Sequence, residues 1–133
     1  MNLQMSKGTV LVIGDDAELG GLIALNLRLR GLIVEHTDPS LALEPRWSPS
    51  FGTPDLLVLD VESADRFTPA RLHRLLARPW ARDVRLILAA DKPEPFVRVL
   101  SRAPNLLLRR PDDVGAIVNA VRALLTPVIV PTP

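Results

Sequence analysis

The sequence predicts one α/β domain built on a parallel β-sheet, and three observations support this fold class. Five short apolar runs lie along the chain, and they lack the polar alternation of strands that have one face in water. Segments with helical spacing of apolar residues separate most of these runs. Such alternation joins parallel strands through right-handed crossovers and covers both faces of the sheet with helices. We therefore expect a doubly wound sheet of five parallel strands.

The first strand and the first helix follow one another near the start of the chain. "TVLVIG" (9–14) is a β-branched apolar run and predicts a buried strand. Either Asp15 or Asp16 then caps a helix, in which leucines recur at helical spacing over residues 19–29. Gly31 suits the C′ position of this helix, because glycine adopts the left-handed conformation at little cost.

The middle of the chain predicts a second and a third strand with a poor helix between them. "LIVEHT" (32–37) is the second strand, and several prolines follow it, so that any second helix is short or broken at Pro45. "LLVLD" (56–60) is the third strand. Thr68 and Pro69 form an N-cap and N1 pair, which opens a helix that stops before the next proline.

The last part of the chain predicts two more strands and two helices. "VRLILAA" (84–90) is the fourth strand, and a short helix is expected from about Glu94 to Arg102. "NLLLR" (105–109) is the fifth strand. Apolar residues then form one stripe at helical spacing over residues 114–125, which predicts a final amphipathic helix.

Composition and charge exclude several classes of protein. The chain has 133 residues, of which 47% are hydrophobic, enough for one domain with its own core. It has no cysteine and two histidines, which excludes thiol chemistry and leaves little material for a zinc site. The net charge is +1, without a block of like charge, so no nucleic acid is expected to bind. No apolar stretch reaches the ~20 residues of a membrane span, and we expect a cytoplasmic protein.

The predicted domain covers residues 8–125. Residues 1–7 are treated as a disordered segment or an extension, and the proline-rich tail (126–133) cannot continue the last helix. Trp47 and Trp80 lie in predicted loops, where a tryptophan either packs against its own loop or contacts a partner.

Charged and small residues follow the strands at the edge of the sheet where their carboxyl ends meet. Asp15 and Asp16 follow the first strand, Asp60 ends the third, Ala89 lies at the end of the fourth, and Arg110 follows the fifth. Sites in open parallel sheets lie at this edge. By itself, Asp60 is either a reactive carboxylate or a strand-end carboxylate bonded to neighbouring amides. Arg110 either pairs with these carboxylates or contacts an anion.

These strand-end residues, in this order, resemble the receiver domain of two-component response regulators over about residues 8–125. The resemblance implies a flavodoxin-like (CheY-like) sheet with strand order 2-1-3-4-5. It also implies a site where carboxylates hold Mg²⁺, an aspartate accepts a phosphoryl group, and a hydroxyl and a lysine contact that group. By position, Asp60 is the phosphoacceptor and, with Asp15, a metal ligand, and Arg110 replaces the lysine that contacts the phosphoryl group.

The sequence departs from this family pattern at several positions. Gly14 stands where the first metal-binding acid is expected, and Ala89 stands where the hydroxyl that contacts the phosphoryl group is expected. Leu107 stands at the aromatic switch position. Asp16 is either a substitute metal ligand or the cap of the first helix. The loss of a charged ligand predicts weakened Mg²⁺ binding, and no other cofactor is expected.

The resemblance implies a signal-transduction module of a two-component phosphorelay and not an enzyme. Given the substitutions, we expect a pseudo-receiver that acts through protein–protein contacts, with weak or absent phosphorylation of Asp60. The implied partners are a histidine kinase or an output protein, and a second copy bound through residues 94–125, the face through which family members often dimerise. An alternative is a small-ligand or nucleotide-binding α/β domain that uses Asp15, Asp60 and Arg110 in the strand-end cleft.

Overall fold

Five parallel strands form a single sheet in the computed structural model, which describes residues 8–62, 67–100, 105–109 and 114–125. The strands are β1 (Thr9–Gly14), β2 (Ile33–Thr37), β3 (Leu56–Val61), β4 (Arg85–Ala90) and β5 (Asn105–Arg109). Their order is β2-β1-β3-β4-β5, and every neighbouring pair is parallel. The fold class and the strand order that the sequence predicted are therefore confirmed.

The three central strands, β1, β3 and β4, are buried on both faces. In β3 every residue is buried, and β1 and β4 are buried except at their first residues, of which Thr9 is half-buried and Arg85 is exposed. The continuous apolar runs are thus explained, because neither face of these strands meets water. The edge strand β2 is only partly buried, and Glu35 and His36 are accommodated there for that reason.

Helices cover the two faces of the sheet. Helices α1 (Ala17–Arg28) and α4 (Val114–Leu125) pack on one face, against side chains that include Val12 and Val58. Helix α3 (Pro69–Leu76) packs on the other face, over a core that includes Leu57. Burial of these apolar side chains stabilises each layer by roughly 25 cal/mol for every Å² of apolar surface removed from water.

The predicted helix starts and stops are largely confirmed. Thr68 caps α3 by accepting a hydrogen bond from the Arg71 amide, and Pro69 is the first helical residue. Helix α2 (Pro39–Ala42) has only one turn and ends before Pro45, as expected from the prolines. Gly31 has a φ of +88°, but it lies two residues beyond Leu29, the C-cap of α1, so it occupies the C″ position and not the C′ position predicted for it.

The predicted helix from Glu94 to Arg102 is wrong over its described part. A 3₁₀ turn spans Glu94–Phe96, and the bonds from Phe96 to Pro93 and from Val97 to Glu94 join residues three apart. Prolines at 93 and 95 have no amide hydrogen to donate to a helical ladder. Residues 101–104 lie outside the described residues, as do residues 1–7 and 126–133.

The two tryptophans pack against each other inside the protein. The ring centroids of Trp47 and Trp80 are 5.5 Å apart at an interplanar angle of 79°, an edge-to-face arrangement. Trp80 is buried in the core, and Trp47 packs against the same cluster. Of the two roles that the sequence left open for these residues, the structure shows loop packing.

His36 is packed between β2 and the first turns of α1. Its Nε2 atom is buried and has no hydrogen-bond partner among the described residues. Burial lowers the pKa of His36 below 6.5, the positive charge of Arg28 lowers it further, and Asp38 opposes this effect. The folded protein therefore favours the neutral form of the imidazole.

We expect stability to fall in mild acid because of His36. Its pKa is lower in the folded protein than in the unfolded chain, so the unfolded chain binds the proton first. The contribution of the neutral imidazole to the free energy of unfolding is complete above the unfolded pKa of 6.5. It is lost as the pH falls below that value toward the folded pKa. Thermal unfolding measured across this range checks the prediction. A His36→Gln variant with the same pH profile as the wild type would contradict it.

None of the helices in the described ranges has the length and hydrophobicity that crossing a membrane requires.

Candidate functional site

The candidate site lies at the carboxyl ends of three adjacent strands. The register places Gly14 of β1 beside Asp60 of β3, and Asp60 beside Ala89 of β4. Asp60 is fully buried, and it is the one charged residue in the fully buried part of the described core. Its two neighbours across the sheet carry no polar side-chain atom. The side chains that flank Asp60 therefore add neither a metal ligand nor a hydrogen-bond donor.

Asp15 connects the end of β1 to the segment after β3. Its amide donates to the Asp60 carbonyl oxygen at 3.2 Å, and its Oδ2 accepts a hydrogen bond from the Glu62 amide at 2.9 Å. Asp15 is half-buried, and it also lines the cleft at this edge. The structure thus brings together the two acids that the sequence predicted as metal ligands, Asp15 and Asp60, and one Asp15 oxygen already contacts the backbone.

Asp16 caps α1. Its Oδ1 accepts hydrogen bonds from the amides of Glu18 at 3.0 Å and Leu19 at 3.2 Å. These amides are among those that a helix N-terminus leaves without an internal partner. Of the two roles that the sequence allowed, the observed contacts support the cap.

Replacing Asp16 with alanine is expected to lower the free energy of unfolding by about 1 kcal/mol, since the first turn of α1 loses its cap. Asp16→Ser is the matched control, because serine caps helices about as well as aspartate. Denaturant unfolding measures both variants, and a Mg²⁺ titration accompanies it. Loss of a Mg²⁺ response in Asp16→Ser would show that Asp16 is a ligand and that its role as a cap is secondary.

Of the positions that the resemblance assigns to phosphoryl contacts and to the switch, the structure describes Ala89 and Leu107 but not Arg110. Ala89 is fully buried and packs in the core beneath α1 and α4. Arg110, together with Pro111, lies outside the described residues. Leu107 belongs to β5, where its neighbour in the register is Leu88. The role of Arg110, which either pairs with the carboxylates or contacts a phosphoryl group, therefore stays a prediction.

The described residues at this site do not fit a strong divalent-cation site. A hard cation such as Mg²⁺ is held by oxygen ligands, with carboxylates supplying the charge. The strand ends offer Asp15 and Asp60, whereas Gly14 offers none and Asp16 is used as a cap. Within the ranges that the structure describes, no group of three His, Cys, Asp or Glu side chains is arranged to hold a metal ion.

A cleft beside the site contains basic residues that the sequence analysis missed. It has a volume of about 620 Å³ and lies between α2 and α3 next to Asp15. Ser40 lines the α2 side, and Arg71 and Arg74 line the α3 side. The spacing of these arginines, three residues apart, places them on one face of a helix. This spacing, on the helix that follows the strand of Asp60, is the sequence signal that could have identified the two arginines.

Receiver domains of response regulators share this fold. The receiver domain (CheY-like) from Methylobacillus flagellatus matches with a TM-score of 0.66 and 15% identity, over 90% of this chain and 99% of that chain. A CheY-like response regulator protein from Mesorhizobium loti matches with a TM-score of 0.68 and 23% identity, over 90% and 99%. A response regulator protein from Burkholderia pseudomallei, with a phosphorylated aspartic acid, a calcium ion and citrate, matches with a TM-score of 0.58 and 20% identity, over 92% of this chain and 77% of that chain.

No family model and no curated protein matches the sequence. The structural matches show that the chain has the CheY-like receiver fold over about 90% of its length. At identities of 15 to 23%, these matches show the fold alone. The chemistry of the site has to be judged from this chain's own residues.

Proposed function

We propose that this protein is a receiver-like module of a two-component signalling pathway that works through protein–protein contacts and not as an enzyme. The observation that carries the proposal is the register around Asp60, in which Gly14 and Ala89 flank the acceptor position. In this reading the domain of residues 8–125 keeps the receiver scaffold, and phosphorylation of Asp60 is weak or absent.

The physical argument concerns how a phosphoryl group would change the structure. A ligand shifts a protein between two states only through contacts that differ between those states. Ala89 has no hydroxyl with which to hold a phosphoryl oxygen, and it is already packed in the core. A phosphoryl group on Asp60 would therefore lack the contact that draws in the segment after β4. Partner binding is then the same with and without phosphorylation.

The test compares the wild type with Asp60→Asn, which preserves the size of the side chain. Both proteins are incubated with acetyl phosphate and Mg²⁺, and their intact masses are measured. We expect no phosphoryl adduct on the wild type, and equal binding of both proteins to a partner captured from the source organism's two-component proteins. An adduct that Asp60→Asn abolishes, together with a change in partner affinity, would show a working phosphorylation switch.

A second candidate function is supported by the cleft beside the site. Arg71 and Arg74 give the cleft two cationic groups, and Ser40 gives it a hydroxyl, while Asp15 and Asp38 also line it. Its volume of about 620 Å³ lies in the range of small-molecule sites, roughly 300–1,000 Å³. This candidate is a domain that binds a small anionic ligand or a nucleotide.

A thermal-shift screen with nucleotides and inorganic phosphate tests this second candidate. Arg74→Gln is expected to remove any shift in the unfolding temperature, and Arg82→Gln is expected to retain it.

A further inference from the structure

Helix α1 carries an apolar stripe on the side that faces away from the core. Leu22 is 47% exposed, Leu25 is 49% exposed, and Leu29, the C-cap residue, is 74% exposed. Their spacing of three and four residues aligns them along one face of the helix. We call these three residues the α1 leucine stripe.

The opposite side of α1 is also apolar. Gly20, Ile23, Ala24 and Leu27 are buried on the core side. At 100° per residue the stripe lies on the other side of the helix from these residues. A helix at the surface of a globular protein normally has one apolar face and one charged face, whereas the outer face of α1 carries leucines between Glu18 and Arg28 at its two ends. The stripe is therefore expected to be covered in the functional state.

Helix α3 provides an internal comparison. Its core side carries Leu72 and Leu75, whereas its outer side carries Arg71, His73 and Arg74, all exposed. The same chain thus places charged residues on a helix face that stays in water. The leucines on the outer face of α1 contrast with that pattern, and three aligned exposed leucines exceed the single apolar residues that are normal at a surface.

We propose that the α1 leucine stripe is the interface of a two-fold symmetric dimer, in which the α1 helices of two copies pack antiparallel. A two-fold axis midway between Leu22 and Leu25 places Leu22 of one copy opposite Leu25 of the other. The same axis places Glu18, which continues the stripe at its N-terminal end, opposite Leu29 of the other copy. The stripe is then complementary to itself, as a two-fold interface requires.

Charge supports a second copy as the occupant. The first turn of α1 is acidic at Glu18, and the other end of the helix is basic, with Arg28 and then Arg30 beyond it. Antiparallel packing places each acidic end beside the basic end of the other copy. The net charge of +1 adds little long-range repulsion between copies. Gly21 borders the stripe, and a Cβ there would meet no atom within 4 Å, so the other helix can approach closely.

The test is sedimentation velocity of the full chain over a wide concentration range. One short helix from each copy makes an interface at the small end of the range, below about 1,200 Å², so we expect a reversible dimer. The mass should rise from 14.6 kDa toward that of a dimer as the concentration increases. Leu25→Glu should weaken association by at least about tenfold, because it places a carboxylate in the apolar centre of the interface.

Three further variants identify the surface. Val97 is 53% exposed and lies in the 94–125 face, so Val97→Glu is the matched control and should still dimerise. Glu18→Arg should weaken the dimer, and Glu18→Arg with Arg30→Glu should restore it. A wild type that stays monomeric at every concentration overturns the proposal. Loss of the dimer in Val97→Glu but not in Leu25→Glu also overturns it and assigns dimerisation to the 94–125 face.

Discussion

Replacing Gly14 with aspartate is expected to raise the affinity of the protein for Mg²⁺ by at least about tenfold, or about 1.4 kcal/mol of binding free energy. A Cβ at this position would have its nearest contacts at 3.7 and 3.8 Å, among them the Asp60 Cβ, so the new side chain has room. It would supply a third carboxylate beside Asp15 and Asp60, and each added carboxylate increases the attraction for a hard cation.

The same substitution should destabilise the protein when Mg²⁺ is absent, because carboxylates crowded at one site repel each other. Thermal unfolding with and without Mg²⁺ measures both effects, and Gly14→Asn is the control, since it has nearly the same size without the charge. A Gly14→Asp variant whose unfolding temperature is independent of Mg²⁺ would contradict the expectation that the missing acid limits Mg²⁺ binding.

Replacing Gly20 with alanine is expected to cost about 1–3 kcal/mol of folding free energy, the usual range for overpacking a core. An added Cβ would lie 2.3 Å from the His36 Nε2 atom and 3.1 Å from two ring carbons. The imidazole must then move, and its place between α1 and β2 leaves it little space. Denaturant unfolding of the purified variant measures the loss.

The combined variant Gly20→Ala with His36→Ala isolates the cause of this loss. Removing the ring removes the clash, so the double variant should be more stable than the sum of the two single changes predicts, as a double-mutant cycle shows for residues in contact. Gly21→Ala is a useful comparison, because a Cβ at Gly21 meets nothing within 4 Å. It should be neutral or slightly stabilising. If the effects of the two changes on the free energy of unfolding are additive, the cost of Gly20→Ala does not come from contact with the His36 ring.

Local sequence signals were sufficient for most of the fold. The runs of the central strands β1, β3 and β4 were predictable because a strand buried on both faces excludes polar residues. The observed bounds of β1 and β5 are the predicted ones. The α3 start was predictable because Thr68 and Pro69 act within one turn. The predicted helix over 94–102 is wrong in its described part because prolines 93 and 95 have no amide hydrogen for a helical backbone ladder.

The site was less accessible from the sequence. The positions of Asp15, Asp60 and Ala89 followed from the parallel topology, because strand ends meet at one edge. The hydrogen bond from the Glu62 amide to Asp15 joins residues 47 apart, and its formation depends on the detailed geometry of two loops. The choice between cap and ligand for Asp16 likewise needed coordinates. The roles of Asp60 and Arg110 stay predictions.

The Trp47–Trp80 pair determines what optical spectroscopy of this protein can report. The chain has two tryptophans and no tyrosine, so its near-ultraviolet signal above the phenylalanine bands comes from these two rings. At 5.5 Å between centroids their electronic transitions are coupled. Circular dichroism and fluorescence will therefore follow the docking of the residue 44–52 segment on the turn after α3. A chemical change at Asp60 that does not move that segment would be optically silent.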